Sequence, residues 1–224
     1  MKSSLFKSSY IMPAFLCLTA VLITAAGIVF GQSPLRILPL YVSLFIGFLQ
    51  SRVSRLAPLI GGVNSVLYAA VYAYYGLYAS ALYALFISCP LQLITFFQWK
   101  RRSYGESVVF RRMSTRGRLL TAAGFAACWG AMWALMSLLG SSYRVFDNTV
   151  TLLGILITVL TMFAYVEYTV LMLPSCLCSI GMYAVMLAET PEQTTYLIYS
   201  VYSLVCSILA LICAKRLYRE QNTR

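Results

Sequence analysis

Long uncharged apolar runs, separated by short polar segments, dominate the chain. We predict eight membrane-spanning helices, at residues 11–31, 36–51, 56–75, 78–99, 119–139, 149–166, 169–187 and 194–214. A helix of about 20 apolar residues matches the hydrocarbon thickness of a bilayer. The second run is short and is expected to be broken by Pro39. The pattern predicts an all-α polytopic membrane protein.

The first run follows two lysines and could be read as a signal peptide. Its apolar stretch is too long for a typical signal peptide and no clean cleavage site follows it, so we expect a retained helix.

Composition supports the membrane class, because 61% of residues are hydrophobic and 10% are charged, against about 25% charged in soluble domains. The seven cysteines all lie in apolar runs and are interpreted as small core residues.

The positive charge is concentrated on one side of the predicted topology. Of the 17 lysines and arginines, all except Arg36 and Arg144 fall in the termini or in the loops that share their side. The positive-inside rule then places both termini in the cytoplasm. The net charge of +11 is therefore a topology signal, and we expect the lipid bilayer, not a nucleic acid, as its partner.

An internal repeat is indicated by aligning spans two to four with spans six to eight at an offset of 115 residues. The matches pair Tyr68-Ala69 with Tyr183-Ala184, Lys100-Arg101 with Lys215-Arg216, and Asn64 with Ser179. Span five would return the chain to the starting side, giving two parallel three-helix bundles. The predicted division is an N-terminal helix (1–35), bundle 1 (36–102), a basic loop with a linker helix (103–146), and bundle 2 with a basic tail (147–224). Parallel repeats of this kind are a transporter architecture with a site between them.

Asn64, in the middle of span three, is the strongest candidate for substrate binding. Burying an amide without a partner in hydrocarbon costs about 4–8 kcal/mol, so it must face protein, water or a ligand. An interhelical hydrogen bond is the alternative. Tyr68 and Tyr72 follow Asn64 at helical spacing and would line the same pocket, unless they are ordinary packing residues.

Further candidates lie at equivalent depths in the other spans. They are Ser88 and Gln92 beside Pro90, Ser179 and Tyr183 after Pro174, and Tyr199, Tyr202 and Ser203 in span eight. Interrupted helices in corresponding halves point to a transport site, although the two prolines could also be static kinks. Pro58, Gly61 and Gly62 are further positions that would permit bundle rocking.

The missing residue types exclude several activities. The chain has no histidine, and Asp147 is its one aspartate, so neither a Ser-His-Asp triad nor a histidine metal site can be built. No enzyme activity and no cofactor are expected. Ion-coupled transport usually relies on intramembrane carboxylates, and Glu167, at the cytoplasmic end of span seven, is the nearest candidate. We therefore expect facilitated diffusion.

The run NSVLYAAVYAYYGLYASALYALF (64–86), followed by FQWKRR (97–102), resembles the first repeat of PnuC vitamin transporters. The second repeat resembles it through SIGMY (179–183), and the likeness covers about residues 36–219. The resemblance implies a fold related to SWEET sugar transporters and import of nicotinamide riboside or a similar vitamin across a bacterial cytoplasmic membrane. It also implies trapping by a cytosolic kinase and a homotrimer.

One departure from that family concerns the ring-binding residues of span seven. Its nicotinamide riboside carriers typically have two tryptophans three residues apart, followed four residues later by Asn or Asp. The corresponding positions here are Thr169, Met172 and Cys176. Nicotinamide riboside remains the favoured substrate, with thiamine, riboflavin or a deoxynucleoside as alternatives. A SWEET-like sugar carrier and a non-transporting scaffold also remain open.

Overall fold

The computed structural model describes residues 10–74, 81–82, 84–138 and 144–223; the predicted site residue Tyr72 lies in a helix, but its side chain is outside what is described. Eight α-helices account for most of the described residues. They are α1 (Ile11–Val29), α2 (Pro34–Ser51), α3 (Leu56–Tyr74), α4 (Cys89–Arg101), α5 (Thr115–Leu138), α6 (Arg144–Met162), α7 (Glu167–Leu187) and α8 (Thr194–Asn222). A hairpin of β1 (Ser103–Tyr104) and β2 (Ser107–Val108) follows α4.

Each of the eight predicted spans corresponds to a helix. Within the described residues, four helical segments are long and apolar enough to cross a bilayer: Ile11–Val29, Pro34–Ser51, Glu167–Leu187 and Pro191–Asn222. Leu56–Val71 and Asn148–Met162 are shorter apolar helices. Many large apolar side chains point outward, including Val29 and Leu120 at 75% and 74% exposure, as lipid-facing residues do. The protein is an all-α polytopic membrane protein.

The prolines behave differently from one another. The predicted break at Pro39 is wrong, because α2 runs without interruption from Pro34 to Ser51. Pro39 lies in the second turn, where its missing N–H frees only the carbonyl of Leu35, near the helix start. Pro90 does mark an irregularity, since a π-helical turn at Ala84–Ser88 leads directly into α4. Helix α7 continues through Pro174.

Six helices close into a ring. In ring order, α2 packs on α3, α3 on α4, α4 on α6, α6 on α7, α7 on α8, and α8 on α2. Helix α1 packs outside the ring against α2 and α8, and α5 packs outside it against α6. The two contacts α2–α8 and α4–α6 join the half formed by α2, α3 and α4 to the half formed by α6, α7 and α8.

The same turn occurs in both halves of the ring. Val53 and Ala164 both have positive φ, at 53° and 57°. In the first half, Val53 N donates to Gln50 O, and Arg55 N donates to Glu106 O in the segment after α4. In the second half, Ala164 N donates to Thr161 O, and Val166 N donates to Arg111 O in the same segment. The equivalent residues of the turn, Val53 with Ala164 and Arg55 with Val166, are 111 residues apart. The predicted offset of 115 therefore does not hold for the first two helices of each unit.

The basic side of the ring is filled by an apolar cluster. Its buried members are Val53, Trp99, Val108, Phe110, Leu160, Ala164, Tyr168, Met172 and Ala214. The cluster includes Trp99 of α4 and Ala214 of α8, which are 115 residues apart. This spacing agrees with the predicted offset for the third helix of each unit. The second unit therefore carries four extra residues between its second and third helices.

Candidate functional site

A chain of polar contacts crosses the ring from α3 through α2 and α8 to α7. Asn64 on α3 donates from Nδ2 to Ser43 Oγ on α2, at 2.8 Å. The hydroxyl of Ser43 also contacts that of Tyr199 on α8, which in turn contacts Ser203 one turn along. Ser203 Oγ lies 3.5 Å from Cys176 Sγ on α7. The chain thus connects both halves of the ring, and we call it the mid-ring network.

The mid-ring network leaves one hydrogen-bond acceptor unused. Asn64 is 5% exposed, and its Oδ1 has no hydrogen-bond partner among the described residues. An unsatisfied buried polar atom costs about 1–3 kcal/mol. An acceptor held at this cost next to the Ser43 hydroxyl is suited to a ligand that brings its own donor.

A second polar contact begins at Ser65, the residue that follows Asn64 on α3. Ser65 Oγ and Ser88 Oγ are 2.9 Å apart, between α3 and the π-helical turn. Cys176 and Ser203 make the corresponding contact in the second half, since Cys176 follows Ser65 by 111 residues and Ser203 follows Ser88 by 115. The two halves therefore place a short polar side chain from equivalent helices at the same level.

A small cavity lies between the two halves, on the basic side of the mid-ring network. Its volume is about 60 Å³. It is lined by Gln50, Val53, Ser54, Ala57, Pro58, Gln92, Thr95, Trp99, Ile157, Thr158, Thr161, Tyr168 and Met172. A water molecule occupies about 30 Å³ of liquid, so this space matches about two waters.

Below this cavity the basic side is closed by aromatic packing across the α4–α6 contact. Trp99 Nε1 donates to Thr161 O at 2.7 Å. The Trp99 ring lies 6.5 Å from Phe110 and 6.3 Å from Tyr168, centroid to centroid. We call this group the inner plug.

The opposite side of the ring is closed by a polar contact between the halves. Arg36 Nη1 at the start of α2 pairs with Glu192 Oε2 before α8, at 2.9 Å. The Arg36 guanidinium also lies 5.7 Å from the centre of the Tyr196 ring, which stacks on Tyr183 at 5.5 Å. We call this group the outer latch.

The structure distributes the predicted site residues over several levels. The mid-ring network contains Asn64, Tyr199, Ser203 and Cys176. Ser88 contacts Ser65, the residue after Asn64. The cavity is lined by Gln92 and Met172. Tyr183 belongs to the outer latch, and Tyr68 is half-buried on α3. Thr169 is buried one turn before Met172, with its hydroxyl donating to Val166 O at 2.8 Å.

Two predicted site residues lie apart from this set. Tyr202 donates its hydroxyl to Leu44 O at 2.9 Å and stacks on Phe15 of α1, within an apolar cluster outside the ring centre. Ser179 donates to Ser175 O in its own helix at 3.0 Å. At the observed offset of 111, Ser175 takes the place of Asn64, so the pairing of Asn64 with Ser179 is wrong.

Sequence reasoning missed Ser43, Ser65 and the pair Arg36–Glu192. Ser43 is a single small polar residue in the run ILPLYVSLFIGFL, at the midpoint of α2. Comparing helix midpoints would have placed it level with Asn64. Arg36 was noticed only as an exception to the charge bias, although an unusual cation on the outer side is a candidate for an ion pair.

The tryptophans lie away from the mid-ring network. Trp99 is in the inner plug, and Trp129 and Trp133 stack on one another on α5, outside the ring, at 5.1 Å. The inner face of α7 buries Thr169, Met172 and Cys176. These are the three positions at which nicotinamide riboside carriers typically have two tryptophans and an Asn or Asp. These three positions offer hydroxyl and sulfur groups but no flat ring for stacking, and the aromatic residue nearest to them on α7, Tyr168, is packed against Trp99 in the inner plug.

Glu167 stabilises the packing of helices on the basic side of the ring through its contacts with Arg118 and Met113. Its Oε1 lies 2.8 Å from Arg118 Nη2 and accepts from Met113 N at 3.1 Å. The carboxylate thereby attaches the start of α7 to α5 and to the segment before it. These contacts match an interfacial structural glutamate.

Comparison with known proteins places the chain in a family. The family model described as "Nicotinamide mononucleotide transporter" matches residues 33–216. The crystal structure of the vitamin B3 transporter PnuC is similar over 95% of this chain and 93% of that chain, with a TM-score of 0.75 and 19% identity; at this identity the likeness shows the fold. No curated protein matches. Because the family model spans most of the chain, this protein is a membrane transporter, not an enzyme, and it belongs to the nicotinamide mononucleotide transporter (PnuC) family.

Proposed function

We propose that this protein is a facilitator that carries a flat, polar vitamin or nucleoside-like molecule, with nicotinamide riboside as the first candidate. The observation that carries the proposal is the buried acceptor of Asn64, which is unsatisfied within a polar chain that connects both halves of the ring. Transport folds built from repeats place substrate where the repeats meet, near the bilayer midplane. The two halves would act as SWEET-like three-helix bundles.

In the proposed site, the mid-ring network binds the substrate through hydrogen bonds. Asn64 Oδ1 accepts from a hydroxyl or amide of the substrate, and Ser43, Tyr199 and Ser203 exchange their mutual contacts for contacts with it. Gln92 and Met172 then contact the part of the substrate that points to the basic side. Tyr68 and Tyr72 remain candidates for contact with a ring.

The transport cycle follows from the two closures. A cavity of about 60 Å³ is far below the about 300–1,000 Å³ typical of ligand sites, so the halves must separate to admit a substrate. Opening the outer latch would expose the network to one side, and opening the inner plug would expose it to the other. Pro58, Pro90 and Pro174, with Gly61 and Gly62, would permit this rocking of the bundles.

The direction of net transport is proposed to come from chemistry outside the protein. Glu167 has a structural role, and no carboxylate is found in the mid-ring network among the described residues. Substrate would therefore run down its gradient, and phosphorylation by a separate cytosolic kinase would trap it. We also propose a bacterial cytoplasmic membrane, cytoplasmic termini and a homotrimer, from the charge bias and the family.

A neutral nucleoside is the second candidate substrate. It is favoured by Thr169, Met172 and Cys176, because none of these three side chains has an aromatic ring with which to attract a pyridinium cation. Cation–π attraction supplies about 2 kcal/mol or more when desolvated. A site without it would discriminate less between charged and neutral rings of one shape.

The test is counterflow in proteoliposomes without ATP or ion gradients. Liposomes loaded with unlabelled nicotinamide riboside are diluted into labelled riboside, and parallel sets use thiamine, riboflavin, a deoxynucleoside and glucose. We expect transient accumulation of labelled riboside or nucleoside, and none of glucose. Strict dependence on an imposed proton or sodium gradient, or counterflow of glucose alone, would refute the proposal.

A further inference from the structure

A large groove lies outside the ring on the basic side, between α5, α6, α7 and α8. Its volume is about 780 Å³. At its basic end it is lined by Arg112, Arg118, Lys215 and Arg219, with Glu167 and Tyr218 beside them. None of these residues belongs to the mid-ring network or to the cavity next to it.

The charges at the basic end of the groove do not cancel. Among the described residues of the lining, Glu167 is the one carboxylate, and it is paired with Arg118 at 2.8 Å. Within the described part of the chain, no carboxylate pairs with Arg112, Lys215 or Arg219. Three exposed cations therefore converge on one opening, together with a half-buried tyrosine that can hydrogen-bond.

Away from this end the groove is apolar. Its walls are Ala122 and Phe125 of α5, Leu153, Leu156 and Leu160 of α6, Val170 and Leu171 of α7, and Leu211 of α8. From Arg118 to Phe125 the groove follows α5 for about 10 Å, at about 1.5 Å per residue. This depth leads from the basic face into the apolar part of the helices.

We propose that this groove binds an anionic phospholipid of the leaflet on the basic side. The three uncompensated cations would hold the phosphate and the apolar walls would hold part of an acyl chain. Basic pockets between helices on this side of membrane proteins suit such headgroups, and each cation near the surface contributes about 1 kcal/mol. A zwitterionic lipid has the chain but not the net charge, and free phosphate has the charge but not the chain.

The test measures lipid binding to purified protein in a non-ionic detergent, by native mass spectrometry and by thermal shift. The probes are dioleoyl phosphatidylglycerol, dioleoyl phosphatidylcholine and inorganic phosphate. We expect a retained one-to-one adduct and a raised melting temperature with phosphatidylglycerol alone. Equal binding of phosphatidylcholine, or an equal effect of phosphate, would overturn the proposal.

Variants locate the site. The double variant K215Q/R219Q should bind phosphatidylglycerol about 25-fold more weakly, since each lost kcal/mol is about fivefold. The matched control R101Q/R102Q removes two exposed cations on the same face outside the groove, and should change the affinity less than twofold. Equal losses in both variants would overturn the assignment.

Ala122→Phe keeps the charge and fills the apolar part of the groove. It should abolish retention of the long-chain lipid without changing the mass of the protein assembly. A loss of oligomer in this variant, with lipid binding intact, would show that a second copy of the chain covers the groove and would reject the lipid proposal.

Discussion

Asn64 and Asn148 are both buried asparagines, but Asn64 lies inside the ring and Asn148 lies at its outside. In both, Oδ1 has no hydrogen-bond partner among the residues that the structure describes. Asn64 donates to Ser43 inside the ring, whereas Asn148 donates to Trp129 O, at the contact of α6 with α5. If the unused acceptor of Asn64 serves a substrate, only one of these two residues should matter for transport.

We predict that Asn64→Leu lowers counterflow at least tenfold, because a lost hydrogen bond of about 1.4 kcal/mol is tenfold in affinity. Asn148→Leu is the matched control, with the same change in size and polarity, and should retain counterflow within about twofold. Melting temperatures of both variants check that each is folded. Equal activities in the two variants would remove Asn64 from the site.

Single residues were predicted from the sequence where polarity interrupts an apolar run. Asn64 was identified because an amide in such a run needs a partner. Ser43 was missed because a serine can satisfy its hydroxyl within its own helix, so its interhelical role depends on which helices are neighbours. Tyr202 lies apart from the mid-ring network for a related reason, since helical spacing does not show which neighbouring helix a face meets.

At the scale of elements, the outer latch joins the two halves through an ion pair that is partly exposed. The side chains of Arg36 and Glu192 are 28% and 47% exposed. Exposed pairs contribute about 0–1 kcal/mol, which suits a contact that must break in each cycle. The latch therefore biases the closed state without locking it.

We predict that Glu192→Gln opens the outer side more often. A cysteine introduced at Thr195, which is fully buried next to the latch, should react with an impermeant maleimide about two to five times faster in this variant. This factor corresponds to at most about 1 kcal/mol.

The control for the latch is Glu220→Gln. Glu220 pairs with Arg216 at 2.8 Å within α8, so this pair does not connect the two halves. Labelling at position 195 should be unchanged by it. Faster labelling in both variants would show that charge, and not the latch, governs access.

Helix positions were predictable because apolar runs of fixed length are read directly from the sequence. The repeat was predicted with one offset, but the structure needs two, because equivalent positions of the second and third helices are four residues further apart along the sequence in the second half. Pro39 shows a similar limit: the consequence of a proline depends on its distance from the helix start, and the beginning of α2 at Pro34 was not predicted.

At the scale of the whole molecule, the ring has a closed outer side, a polar middle and a closed inner side. The α2–α8 and α4–α6 contacts are the surfaces along which its halves would move. The inner plug is held by packing and by the Trp99–Thr161 hydrogen bond, whereas the outer latch is polar. These layers were not predictable, because they depend on which helices close the ring.

Cys176 provides the most direct test that substrate passes through the mid-ring network. It lies 3.5 Å from Ser203 Oγ and 3.4 Å from Ser207 Oγ, while Cys178 is about 200° away around the same helix. Two variants would each keep one of these cysteines and replace the other six, and both must retain counterflow. The rate of alkylation by a small permeant reagent is then measured with and without substrate.

We predict that saturating substrate slows alkylation of Cys176 at least fivefold and leaves the rate at Cys178 unchanged. An unchanged rate at Cys176 in protein that performs counterflow, or equal protection of both cysteines, would contradict a substrate path through the centre of the ring.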